Sequence, residues 1–383
     1  MREYREVYLD NAATTRLAPE VLEAMLPYMK DWYGNPSSTY TLGNASKTAI
    51  EEVRRSVIAC LGATRESNVF FTSSGTEANN WAITGAVEGH DIRHVITSPL
   101  EHESVLQCIK KLVSLKKITA SYVEVNQQGQ LQYHSLIALL EKHPKSLVSL
   151  MHGNNEIGNL TDLNTIGNIC KKYQAIFHTD MVQTLTYCEI NLAKCPVDLC
   201  TGSAHKLHGP KGIGFIYMQP NIRLKPLLYG GMQERGLRAG TENVAGIVGL
   251  GKALEIATYN KDKHRAHLQK LKAHMIQNLK KAIPNIQFHG LSQDPNHSLC
   301  NLLNIGLSLQ NIDSEMLVFK LSIQGISASR GSACMSGTSL RSHVLEAIKL
   351  PKNRTAIRFS LSKYSTYEDI DYTVKRLSAI MKK

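Results

Sequence analysis

From residue 43 to about residue 203, short apolar runs alternate with amphipathic stretches, and this alternation limits the fold more than any other feature. The stretch 43–62, "GNASKTAIEEVRRSVIACLG", spaces Ile50, Val53, Val57 and Leu61 at helical intervals and closes on Gly62. One face is then apolar and the glycine offers a stop, so the pattern predicts a helix. "NVFFTSS" follows as a strand and "GTEANNWAITGAVEG" as a helix. "HVITS", "ASYVEV", "LVSLM" and "AIFHTD" read as further strands, separated by helical spacing around 134–142 and 162–173. Short runs with no polar alternation are buried on both faces, as happens when helices cover a mostly parallel sheet. The expectation is an α/β domain whose ligand site lies at the carboxyl ends of the strands.

After about residue 255 the texture changes. A charged stretch, "ATYNKDKHRAHLQKLKAHMIQNLKKAI", predicts one long helix. Strands at "LCNLLNI", "ISAS" and "TAIRFSLS" and a helix over 366–383 follow. A chain of 383 residues exceeds one ordinary core, so two domains are expected. The large domain is assigned to 15–255, and a smaller α+β domain to 1–14 with 256–383.

With 43% hydrophobic and 20% charged residues, the chain has the balance of a folded globular protein. No apolar run approaches the ~18 residues of a membrane helix. The start, "MREYREVYLDNAATT", lacks the apolar segment of a secretory signal, so a cytoplasmic location is expected. The formal charge is +12, but the basic residues are scattered without interleaved aromatics. A solvated surface is expected, with no direct nucleic-acid contact. The eight cysteines include no C-x-x-C pair, and Cys188, Cys195 and Cys200 lack zinc spacing. Reduced thiols and no metal are expected.

Three segments carry candidate chemistry. In "FTSSGTEANN" a strand ends, Ser73, Ser74, Gly75 and Thr76 turn, and a helix starts. Unpaired N–H groups and the helix dipole make such a turn a phosphate cradle, though Ser and Thr also serve simply as caps. In "AIFHTDMVQ" a strand delivers Asp180 at its carboxyl end with Gln183 beyond it. An acid there is either a turn cap or the partner of a cation, such as a pyridinium nitrogen. In "GSAHKLHGPKGIG" Lys206 follows another strand, with Ser203 and His205 as neighbouring donors. A partly desolvated lysine loses pKa and becomes a nucleophile toward aldehydes. Cradle, strand-end acid and lysine, in that order, are the parts of a pyridoxal 5'-phosphate site.

At this level the chain resembles the cysteine desulfurases of the NifS/IscS type, within the fold-type I (class V aminotransferase-like) pyridoxal-phosphate enzymes. The resemblance runs through "YLDNAATT", "YGNPSS", "SSGTEANN", "LEHESV", "MHGNNEIG", "HTDMVQ", "GSAHKLHGPKGIG", "GGMQERGLRAGTEN", "SRGSACMSG" and "AIRFSL". It implies that Lys206 holds the cofactor covalently and that Asp180 pairs with the pyridine nitrogen. Gln183 and Asn155 would contact the ring oxygen, and His102 would lie over the ring and move protons. Gly75, Thr76, Ser203 and His205 would bind the phosphate. Thr241 would reach the phosphate of the other subunit, which implies a homodimer. Asn35 and Arg358 would hold the substrate carboxylate.

Cys334, between Gly331 and Gly337, reads as an exposed loop residue among small polar neighbours. The resemblance implies that its thiolate takes sulfur from L-cysteine as a persulfide, leaving L-alanine, and passes it to a sulfur-acceptor protein. The Ser-Ala-Cys form resembles the long-loop group of these enzymes. Acceptors in iron–sulfur cluster assembly and in tRNA thiolation both suit the family. Met181 and Gly153 depart from the family pattern and are expected to alter the fit of the pocket. A selenocysteine lyase uses the same geometry, while a transaminase needs no such thiol. An intact Lys206, Asp180 and Cys334 set argues against a non-catalytic scaffold.

Overall fold

In the computed structural model of the protein, which describes residues 5–63, 69–308, 314–330, 342–351 and 354–381, the apolar runs between 69 and 218 assemble into a seven-stranded sheet. Across it the strands run Val69–Thr72, Gly214–Met218, Leu199–Ser203, Ile176–Asp180, Leu147–Ser149, His94–Thr97 and Thr119–Tyr122. The strands from Leu199–Ser203 to Thr119–Tyr122 are all parallel. Gly214–Met218 is antiparallel to both its neighbours. Its connection, residues 204–213, is too short for a parallel crossover, which takes a dozen residues or more.

Alternate side chains of these strands feed two cores, as the pleat requires. Phe70, Val95 and Ile216 meet Trp81 and the apolar faces of the helices Gly75–Gly89 and Glu103–Ser114. Phe71, Ile96, Phe177 and Phe215 face the other way, toward the helices Thr41–Cys60, Leu163–Lys172 and Val244–Tyr259. Each fully buried Val, Leu, Ile or Phe contributes about 1.5–3 kcal/mol relative to exposure.

The charged stretch that predicted one helix forms the end of one helix and the whole of another. Val244–Tyr259 and Lys261–Ala282 meet at Asn260. The first is glycine-rich because it packs tightly. A Cβ on Gly249 would lie 2.7 Å from Met25 Sδ, and one on Gly251 2.6 Å from Val53 Cγ2. Those glycines admit the neighbouring helices and also mask the helical signal.

A second core forms between a three-stranded antiparallel sheet and the helices Lys261–Ala282 and Tyr367–Met381. The sheet joins Gln287–Phe288, Leu302–Leu307 and Thr355–Ser360. Leu268, Leu271, Met275 and Leu279 give the longer helix its buried face. The early chain stitches the two cores together. Val7–Tyr8 pairs with Ile326–Ser327, Asp10 bridges to Ser360, and Thr15 N donates to His205 O at 2.9 Å.

Candidate active site

A cavity of about 240 Å³ lies at the carboxyl ends of the parallel strands. One end is the start of the Gly75–Gly89 helix. Ser74 has an extended backbone and caps the helix, its Oγ accepting from Glu77 N at 3.1 Å. Glu77 Oε2 accepts from Ser73 N at 2.7 Å, so the loop is tied down from both sides. Burial pushes the Glu77 carboxyl up, but hydrogen bonds from Arg238 and Ser73 outweigh it and hold it below the ordinary value. A Cβ on Gly75 would come 3.0 Å from Val182 Cγ2. Glycine there leaves the helix N–H groups facing the cavity, beside Thr76, Ser203 and His205. This end suits an anion.

Across the cavity Asp180 ends its strand. Its Oδ1 accepts from Val182 N at 2.9 Å and its Oδ2 from Asn79 Nδ2 at 2.7 Å. Of the two readings left open from sequence, the turn cap is seen, and the carboxylate also faces the cavity. Asn79 Nδ2 also donates to Ser104 Oγ at 2.9 Å, while Asn79 Oδ1 accepts from Thr201 Oγ1 at 2.6 Å. Ser104 in turn donates to His102 Nδ1 from Oγ at 2.8 Å and from its backbone N at 3.1 Å. Nδ1 is therefore an acceptor, and the ring's proton sits on Nε2. Burial lowers the His102 pKa, so the ring is neutral.

Lys206 ends the short turn Ala204–Lys206 that follows the strand Leu199–Ser203. Its Nζ donates to Ala12 O and Ala13 O, each at 2.6 Å. Gln183 Nε2 donates to Ala12 O at 3.0 Å. Burial and the charges of Lys206 and Lys211 lower His205 to about 4, so it too is neutral. Arg358, on the strand Thr355–Ser360, is 1% exposed. Its Nη1 donates to Asn155 O and its Nη2 to Asp10 Oδ1, both at 2.7 Å.

Gly75, Thr76, His102, Asn155, Asp180, Gln183, Ser203, His205, Lys206 and Arg358 thus all line one cavity. Two of the residues singled out from sequence lie elsewhere. Thr241 is exposed and lines no part of the cavity. Asn35 is also exposed, with its Oδ1 accepting from Ser37 N at 2.9 Å within its own turn. Cys334 lies outside the described residues. Met181 does not shape the pocket as expected. The pleat that turns Asp180 toward the cavity turns Met181 away, and it is fully buried in the core. Asn79 and Ser104 escaped the sequence reading. Asn79 stands one helical turn after Gly75, a spacing that places it on the same helix face.

The donor set fits pyridoxal phosphate. A helix start faces one end for the phosphate, a fixed carboxylate faces the other for the pyridine nitrogen, and a lysine amine shares the cavity for the aldehyde.

The sequence profile described as aminotransferase class-V matches residues 7–373. The cysteine desulfurase IscS of Dictyoglomus turgidum is 40% identical over 385 aligned positions, covering 99% of this chain and 95% of that protein. A NifS-like protein of known structure superposes with a TM-score of 0.90 at 35% identity, covering 99% of this chain and all of that one. The structure of SspA in complex with cysteine superposes with a TM-score of 0.78 at 30% identity, covering 94% of this chain and all of the other.

Proposed function

The chain belongs to the class-V aminotransferase family, and from that premise we infer that it is a pyridoxal-phosphate-dependent cysteine desulfurase, releasing L-alanine from L-cysteine. The observation that carries the reading is the meeting of Lys206, Asp180 and the Gly75–Gly89 helix start in one cavity. Pyridoxal phosphate, when bound, supplies an electron sink for the negative charge that develops on the substrate.

The chain's own groups do the rest. The Ala12 and Ala13 carbonyls are acceptors only, and two N–H groups of Lys206 satisfy them whether the side chain is amine or ammonium. They place the free amine in the cavity before the cofactor binds. Asp180, pinned at both oxygens, is the carboxyl group that would pair with the ring nitrogen. Asn79 and Ser104 fix the proton of His102 on Nε2. Arg358 offers a buried cation to the substrate carboxylate.

The sulfur acceptor is assigned to Cys334. Support comes from the seven described cysteines. None of them lines the cavity, and burial pushes every one of their thiols up, Cys108 and Cys300 to about 12. A raised pKa leaves little thiolate to attack sulfur. The persulfide would then pass to an acceptor protein. Homodimer formation is part of the same reading. Leu22, Leu26 and Met29 form an exposed apolar stripe on the helix Pro19–Lys30, and Tyr229 and Met232, in the segment that leads to Thr241, are each 80% exposed. Such a stripe suits a second copy of the chain.

Borohydride reduction of the cofactor-loaded protein, followed by peptide mapping, tests the lysine. The label is expected on Lys206, and a label on Lys211 would remove the assignment. The sulfur step is tested with Cys334→Ser. This variant is expected to keep bound cofactor and to release almost no L-alanine from L-cysteine. Release at the parent rate would favour a lyase that needs no protein thiol.

A further inference from the structure

We propose that Asp10 is a positioning residue for substrate recognition, acting through Arg358 by fixing the guanidinium in the orientation that receives the substrate carboxylate. The proposal rests on the reading that Arg358 holds that carboxylate.

Arg358 is 1% exposed, yet its cation needs acceptors to offset desolvation. Two come from the protein, and they lie on different nitrogens. Asn155 O takes Nη1 and Asp10 Oδ1 takes Nη2, each at 2.7 Å. Nε is buried and has no hydrogen-bond partner among the described residues. A planar guanidinium with both terminal nitrogens pinned cannot swing about its long side chain. Its remaining donor capacity is presented in a fixed plane beside the cavity that Arg358 lines.

Asp10 is itself held by backbone register rather than by its side chain alone. Asp10 bridges to Ser360, and Ser360 N donates to Leu9 O at 2.7 Å. Arg358 and Ser360 are two residues apart on one strand, so they share a face of it. Ala13 N donates to Asp10 O at 3.0 Å, closing the turn whose Ala12 and Ala13 carbonyls hold Lys206. One turn of backbone therefore sets the spacing between the amine and the guanidinium. An amino acid must meet both at once, with its nitrogen near one and its carboxylate at the other. Asp10 stays 18% exposed at its side chain and lies just before Ala12 and Ala13, which line the cavity.

The test separates carboxylate recognition from general damage. Ligand binding to the cofactor-loaded protein is read from the visible spectrum of the bound cofactor. L-alanine is titrated as a ligand with a carboxylate, and ethylamine as one without. Asp10→Ala is expected to weaken L-alanine by roughly 10-fold or more, the scale of a hydrogen bond to a charged group, and to leave ethylamine within about 2-fold. KM for L-cysteine is expected to rise by the same factor while kcat stays within about 3-fold. Asp10→Asn keeps an acceptor for Nη2 and is expected to recover most of the loss. Should Asp10→Ala fail to load cofactor, Asp10→Asn and Asp10→Glu provide the comparison, the longer side chain misplacing the acceptor. Equal loss of both ligands, no loss of either, or an Asn variant no better than Ala would overturn the proposal. Arg358→Gln is run beside them. If it abolishes the preference for L-alanine and Asp10→Ala does not, Asp10 alone is excluded. If Arg358→Gln leaves the preference intact, the reading of Arg358 fails and Asp10 falls with it.

Discussion

Asn79 makes four hydrogen-bond demands and the structure meets three of them with groups that matter for the chemistry. It holds Asp180 Oδ2, orients Ser104 toward His102, and accepts from Thr201. Asn79→Ala would leave one oxygen of a buried carboxylate without its donor. A hydrogen bond to a charged group is worth about 1.5–3 kcal/mol, so cofactor affinity is expected to fall by roughly 10-fold or more. Fluorescence or absorbance titration of the apoprotein with pyridoxal phosphate reads this directly. An unchanged affinity would mean that Val182 N alone suffices to hold Asp180. Glu101 makes a second case at this scale. It is 1% exposed, with Oε1 accepting from Ser98 Oγ at 2.7 Å and from Met151 N at 3.1 Å. Burial, reinforced by the charge of Asp180, raises its pKa from 4.5 to about 8 against the pull of those two donors. Between these values the folded state keeps a proton that the unfolded state has released. The stability this contributes is complete below 4.5 and is lost as pH rises toward about 8. Glu101→Gln cannot titrate, so across this window its stability should improve relative to the parent by about 1.4 kcal/mol per pH unit. Denaturant unfolding of the pair near pH ~5 and ~8 measures the slope. Equal slopes would show that Glu101 titrates as an ordinary carboxyl.

Elements carry the next level of constraint, and Gly153 shows it. A Cβ there would lie 2.5 Å from Thr184 Cγ2 and 3.3 Å from Leu299 Cδ2. Thr184 cannot move aside easily. It is fully buried, bonded to His152 Nδ1 at 2.9 Å and to Met181 O at 3.1 Å. Gly153→Val is expected to cost about 1–3 kcal/mol by overpacking. Adding Thr184→Ser, which removes the clashing methyl and keeps the hydroxyl, should restore part of that in thermal unfolding. No recovery in the double variant would place the strain elsewhere. The departure at Gly153 is thus a packing match between the 151–161 loop and the turn after Asp180. Pairings of this kind are hidden in a single sequence, because nothing in the spacing of Gly153 and Thr184 announces a contact. Asp180 and Lys206 were legible for the opposite reason. Each ends a short apolar run, and the end of a buried parallel strand is a place in space as well as in sequence. The helix Val244–Tyr259 was illegible because its close-packing glycines look like a loop. Asn79 and Asp10 were missed because their work is done on Asp180 and on Arg358, partners far away in the chain.

At the scale of the whole molecule, the exposed stripe of Leu22, Leu26 and Met29 bears on assembly. Leu26→Glu with Met29→Glu is expected to shift a dimer to monomers in sedimentation. If Thr241 of a second copy reaches the phosphate as proposed, the same change should weaken retained cofactor by roughly 10-fold. Monomers that hold cofactor as tightly as the parent would separate Thr241 from the site. The stitching of the early chain has a different consequence, one of timing. Asp10 and Arg358 are 348 residues apart, and Asn11 and Ser360 are 349 apart. Synthesis at about 5–20 residues per second separates the members of each pair by tens of seconds. In the later part of that interval Lys206, Asp180 and the Gly75–Gly89 helix start have already been made, while the strand Thr355–Ser360 has not. That strand pairs with Asp10, whose carbonyl accepts from Ala13 N in the turn that meets Lys206. Asp10 and Arg358 can therefore meet only late in synthesis, after the rest of the site has been made. The guanidinium proposed to receive the substrate carboxylate is expected to find its acceptor on Asp10 only after Ser360 has left the ribosome.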